Sequence, residues 1–411
     1  MKMGDVTVTQ GATMKIGRVD GDLELQEDAR VEPEGSSPME VSGEVRCEGD
    51  AEFQGSLVCK EFNAEDGKLL VRGDLKAQHD VRVKDGELVI DGSLEADSVE
   101  VDERLTVGRD AKAEEFEVGG RMEVTGSVTA ASVDVGGFFR VGGPATVDEI
   151  NVGGMVDIKG PIKASRLDVG GSVTVAGGEI SESIDVGGSF TSSKPLKFRQ
   201  IDVGGSVTLL EGGEGGRVNV GGRFESKGNL SFETIDVGGI IEIGGNGEGE
   251  AIDVGGVLQV GGSLSLKRDL EIGGRARIGG ALKLNSLDVG GEVEAELIEA
   301  QDSVEVGGRL RTRKGTKART IELGDRSEAT GPLIAVEVRI GEKAEVEDVY
   351  AERVELEEKA RARNLYVHEG RFESRCRITG EVLYRDKMES EPDVEFAKPP
   401  VRTGELPKPP L

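Results

Sequence analysis

The 411-residue chain has no tryptophan, 3% aromatic residues, two histidines and three cysteines. So few rings exclude a broad aromatic core and favour a narrow one filled by Val, Ile, Leu and Ala. The histidines, His79 and His368, stand too far apart in a repeat architecture to share a site for acid–base or metal chemistry. Cys47, Cys59 and Cys376 are odd in number, lack metal-ligand spacing and read as packed, reduced thiols. No apolar run approaches the roughly 20 residues that cross a bilayer. The opening MKMGDVTV has no apolar segment like that of a signal peptide, so a cytoplasmic protein without a membrane partner is expected. Lys and Arg number 51 against 79 Asp and Glu, and the net charge of −28 argues against nucleic acid.

What the sequence does have is a period. Asp-Val-Gly-Gly occurs at Asp134, Asp168, Asp185, Asp202, Asp236, Asp253 and Asp288. Asn takes the first place at Asn151 and Asn219, and Glu at Glu117, Glu271 and Glu305. The interval is 17 residues from 117 through 253, then 18 once, then 17 again. A repeat of this length marks a solenoid or an array. Counting the Asp as position 1, apolar residues fall at 0 and 2, at 6 and 8 and, less strictly, at 12 and 14. Leu167/Val169, Val173/Val175 and Leu196/Phe198 are examples. Each pair is apolar–polar–apolar, the pattern of a strand with one buried face. Three such pairs close one turn, so the predicted fold is all-β, a single-stranded triangular β-helix of about 17 residues per turn.

The Gly-Gly step, as at Gly204 and Gly205, follows the first strand and predicts a corner where glycine tolerates positive φ and leaves no side chain at a hard, crowded bend. The repeat aspartate is expected to point outward and accept a backbone N–H two residues on, a role open to Asn as well. A cation-binding ladder is the sharper alternative, because carboxylates on successive turns would stand roughly 4.8 Å apart. The sequence supplies none of the extra ligands that calcium needs. No catalytic, cofactor-binding or metal residues emerge.

Residues 1–68 carry strand-like pairs without a tidy period and predict irregular N-terminal turns, with a loop over 32–38. Regular pairs run over 69–385, and the Gly-Gly turns over 117–325. Glycines at 211–216 and 246–250 predict loosened third strands. Residues 386–411, rich in Pro and acids, are expected to be a disordered tail open to other proteins. About 22 turns would make a rod on the order of 100 Å long. Basic groups at Arg309–Arg319 and Arg361–Arg377 read either as a surface for an acidic partner or as faces balanced by acids on adjacent turns.

The repeat length, the Val-x-Gly and Ile-x-Gly steps and the segment Arg377-Ile-Thr-Gly-Glu-Val-Leu-Tyr384 resemble the bactofilin family of polymer-forming cytoskeletal proteins. The resemblance implies a right-handed β-helix that joins end to end, without nucleotide, into non-polar filaments. The chain would then be a scaffold whose main partner is itself. In this reading the regular pairs leave the last turn open. Ile378, Val382 and Tyr384, with Arg375 and Arg377 beside them, are the candidate joint. Two other classes stay open. One is a monomeric rod serving as a protein-interaction platform. The other is a non-catalytic subunit of a larger enzyme, similar to the glycine-rich domains of glutamate synthase or formylmethanofuran dehydrogenase. In none of the three is this chain itself an enzyme.

Overall fold

The computed structural model describes residues 4–410. The described chain is all-β, without helix, and its strands run parallel. It divides into two compact units, Met1–Gly204 and Gly205–Leu411. Each is a β-solenoid of about 17 residues per turn, as the period predicts.

The inner columns follow from translating the repeat onto itself. In the first unit Val169 pairs with Val186 and Val186 with Val203, all buried. In the second, Val220 pairs with Val237 and Val237 with Val254. Like lies on like, and each turn covers the strand edge of the one before. A fully buried Val, Leu or Ile contributes about 1.5–3 kcal/mol relative to an exposed one, so inner columns of this kind carry most of the stability.

Three details differ from expectation. First, the third strand of one turn and the first of the next often run on as one, as in Ile162–Val169 and Leu196–Val203. Ser165 and Arg166 both face outward there, so the chain bends gently without glycine or proline. Second, the glycine-rich segments keep their third strands: Gly213 pairs with Leu230, and Gly247 with Leu230 and Leu264. A Cβ added at Gly249 would run into the Phe232 ring, so the glycines make room for a large side chain from the neighbouring turn.

Third, the segment past Lys387 is not a disordered tail as far as Arg402. Strand Val382–Ser390 continues through it, and Glu395–Phe396 and Val401–Arg402 add a further layer. Ile378 pairs with Phe396 and Leu383 with Val401, while Phe396 packs edge-on against Phe372 at 6.0 Å. Prolines and acids hide these apolar residues in the sequence, yet they stand one turn from their partners. The N-terminal turns are irregular in length only. The bond from Asp22 N–H to Asp5 spans 17 residues and that from Glu44 N–H to Asp22 spans 22, with bends at 34–37 taking up the excess.

Candidate functional sites: corners, outer columns and end turns

The Gly-Gly corners work by close stacking. Gly136, Gly153, Gly170 and Gly187, and the glycines after them, keep φ outside the left-handed region, contrary to the sequence reading. A Cβ at Gly170 would instead lie 2.5 Å from the Gly153 carbonyl oxygen, and one at Gly204 would lie 2.8 Å from that of Gly187. The second unit repeats this, with Gly255 at 2.7 Å from Gly238 O. Gly205 accepts the Arg223 N–H at 3.2 Å, and a Cβ at Gly222 would strike its carbonyl. Glycine is required because the turns stack backbone on backbone at this corner.

The repeat aspartates do not cap the corner. Asp134, Asp168, Asp185 and Asp202 share one outward column of the first unit with Asn151, and Asp236, Asp253 and Asp288 share one of the second with Glu271. Of these aspartates only Asp202 receives a hydrogen bond among the described residues, from Gln200 Nε2 at 2.6 Å. Outward placement is as expected; the cap is elsewhere.

It lies at the corner between second and third strands. Asp74 accepts Ser93 N–H at 2.8 Å, and Asp110 accepts Ser127 N–H at 2.7 Å. Asn229 accepts Asn246 N–H at 2.8 Å, Asn246 accepts Ser263 N–H at 2.9 Å, and Asn364 accepts Glu381 N–H at 2.9 Å. Each acceptor serves the equivalent residue one turn on. Where the column holds Pro144, Pro161 or Pro195, there is no N–H to satisfy. These bonds hold the Asp110 carboxyl below the ordinary range, chiefly through the Ser127 N–H. The exchange of Asp, Asn, Ser and Pro at one repeat position was the available sequence signal.

The basic groups are balanced along the stack. Arg311 pairs with Glu292 at 3.1 Å, Lys314 with Glu296 at 2.9 Å and Arg361 with Glu345 at 2.6 Å. Of the candidate joint residues, Arg375 pairs with Glu358 and Arg377 with Glu395 at 3.1 Å. Ile378 and Val382 are buried, and Tyr384 is half-buried and pairs with Arg402 of the following turn. They therefore sit beneath another layer and do not form an open end. His79 contacts Asp97 at 3.2 Å in the first unit, and His368 belongs to the second.

No family model, curated protein or solved structure matches this chain. No helix among the described residues is long and apolar enough to cross a membrane. No group of three His, Cys, Asp or Glu residues comes together to hold a metal ion among the described residues. What the surface offers is columns of equivalent outward positions, turn after turn.

Proposed function

We propose that the protein is a non-catalytic structural scaffold, assembling with other copies edge to edge and without nucleotide, as in the bactofilins its sequence resembles. The first described turn carries this reading. Strands Val6–Val8, Thr13–Ile16 and Arg18–Val19 pair with Leu23–Leu25, Ala29–Pro33 and Met39–Val41, and on no other side among the described residues. Val6 N–H donates to Asp22 O at 2.8 Å and Val8 O accepts Gln26 N–H at 3.0 Å. Thr7 between them therefore turns its N–H and C=O to the unpaired side. Lys15 does the same, since Ala12 O and Ile16 O accept from Arg30 and Glu34 of the following turn.

Val8, Ile16 and Val19 of this turn are already covered, so what it offers is the backbone edge, unpaired among the described residues, and such an edge is a template for another chain. The last turn is the reverse: two-residue strands among Pro392, Pro399 and Pro400, features that blunt an edge. The proposed joint thus moves from Ile378 and Val382 to the first turn. A cytoplasmic setting fits three cysteines that are buried and unpaired.

Sedimentation and negative-stain microscopy of the purified chain, without nucleotide, test the proposal. Pairs of chains joined through their first turns are expected. Thr7→Pro with Lys15→Pro deletes two edge donors without breaking a backbone bond inside the chain, losing only the exposed Thr7–Glu24 hydrogen bond and Lys15–Glu32 ion pair, and should abolish the first-turn joint with little change in melting temperature. A wild type that shows no particles joined at their first turns at any concentration, or a double variant that still shows them, would sink it.

A further inference from the structure

One outer column of the second unit breaks the rule that outward positions are polar. Ile334 pairs with Tyr350, Tyr350 with Tyr366, Tyr366 with Leu383 and Leu383 with Val401. Val349, Ala351, Leu365 and Val367 on either side of the tyrosines are buried, so both rings point outward. The rings stack at 4.8 Å between centroids. Val401 is 52% exposed, and Val336, beside Ile334, is 38% exposed. One turn before Ile334 the column holds Lys317, and before that Glu299. The apolar row begins abruptly and runs for five turns.

We propose that this row is a lateral docking surface for a second copy of the chain, the two sheet faces packing flat with their rows side by side. A straight row repeating at roughly 4.8 Å per turn is matched by an identical row, whereas a helix repeats at about 5.4 Å. Flanks that carry both signs make the contact self-complementary. Asp348, Asn364 and Glu381 flank the row on one side, and Glu352, His368 and Arg385 on the other. A two-fold axis parallel to the row brings opposite flanks together at the same level, so Glu381 of each copy meets Arg385 of the other.

An axis along the strands would instead set Arg385 against Glu352 and Glu381 against Asp348, so rescue of Arg385→Glu by Glu381→Arg, and not by Glu352→Arg, marks the first arrangement. Arg363 already neutralises Asp348 through bonds of 2.8 and 2.7 Å, and Arg385 is held only by Asp386 at 3.9 Å. Tyr366 Oη donates to Glu381 at 2.9 Å, so its ring can be covered without orphaning the hydroxyl. A row one side chain wide falls below the roughly 800 Å² per partner of a stable dimer, so the association is weak and concentration-dependent.

This surface does not depend on the edge joint of the first turn, and the test separates the two. In the protein carrying Thr7→Pro and Lys15→Pro, sedimentation equilibrium is run from about 1 μM to several hundred μM, the range of weak association. Acrylamide quenching of tyrosine fluorescence is read in parallel. The chain has three tyrosines and no tryptophan, and two of the three, Tyr350 and Tyr366, lie in the row, so a fall in quenching reports chiefly on this face. Dimers are expected, with quenching that falls as they form. Tyr350→Thr with Tyr366→Thr should weaken association at least about tenfold, equivalent to 1.4 kcal/mol, in a chain that still melts cooperatively at somewhat lower temperature. Arg385→Glu should weaken it as well, and adding Glu381→Arg should restore it. A monomer throughout the range would overturn the proposal, as would dimers indifferent to both substitutions. So would a synthetic peptide of residues 404–410 shielding the tyrosines of the monomer, which would assign the row to a proline-rich segment.

Discussion

After Val169, in the first unit, the chain turns through Gly170 and Gly171 with ordinary φ and bare backbone stacked on bare backbone. After Leu356, in the second, the equivalent corner turns through Glu358 and Lys359, with Lys359 at φ 65°. Arg326, Lys343 and Arg375 occupy the same left-handed position in neighbouring turns. The first solution needs glycine on every turn, because each added side chain would strike the turn below. The second accepts one strained residue per turn, about 1–2 kcal/mol each, and keeps a side chain. That side chain is used: Lys359 pairs with Glu358 at 2.7 Å, and Arg375 reaches the same carboxylate. Exposed pairs of this kind contribute little singly, but in series they cover the corner with alternating charge.

The comparison can be broken at several points. The largest effect should come from the core common to both regions. Val203→Asp places an unpaired carboxylate in a fully stacked column, and a loss of about 3–5 kcal/mol is expected in thermal or denaturant melts. Unchanged melting would mean that the inner face is wrongly assigned. Next, Gly170→Val should cost about 3 kcal/mol, from overpacking against the Gly153 carbonyl, while Ser172→Val on the outer face should stay within about 0.5 kcal/mol. Equal tolerance would remove the stacking account.

Asp110→Ala strands the Ser127 N–H and should cost about 1 kcal/mol, with Asp110→Asn recovering most of it. Lys359→Gly relieves the left-handed strain against a gain in unfolded-chain entropy and should stay within about 1 kcal/mol of wild type. A cost there as large as that of Gly170→Val would erase the distinction between the corners.

The smallest effect is on pH. Arg363 holds the Asp348 carboxyl below its ordinary range, and Lys359 does so for Glu358. For groups depressed in the folded state, the stabilisation is fully present above the unfolded pKa, about 4, and is lost as pH falls through the folded value. Hydrogen exchange in strand Arg361–Phe372 should therefore accelerate below about pH 4 more than in strand Ser172–Val175, which carries no charged side chain. Equal acceleration in both would show that these pairs contribute nothing.

The sequence by itself determined the solenoid. Alternation fixes which residues face inward, and a constant period lays like on like, so parallel register and the columns through Val169 and Val237 are legible in the sequence. The outward position of Asp134 and its equivalents was legible for the same reason. What a residue meets one turn away was not. The Gly153 carbonyl beneath Gly170, the Phe232 ring over Gly249 and the Ser127 N–H bound by Asp110 are contacts between turns, whose distances depend on how closely the backbones stack. The covered state of Ile378 and Val382 needed the pairing of Phe396 and Val401, residues that composition alone assigns to a tail. The row from Ile334 to Val401 arises where turn lengths drift from the repeat and the Gly-Gly marker is gone. Local pattern reports a side chain's own face; only the assembled stack decides its neighbours.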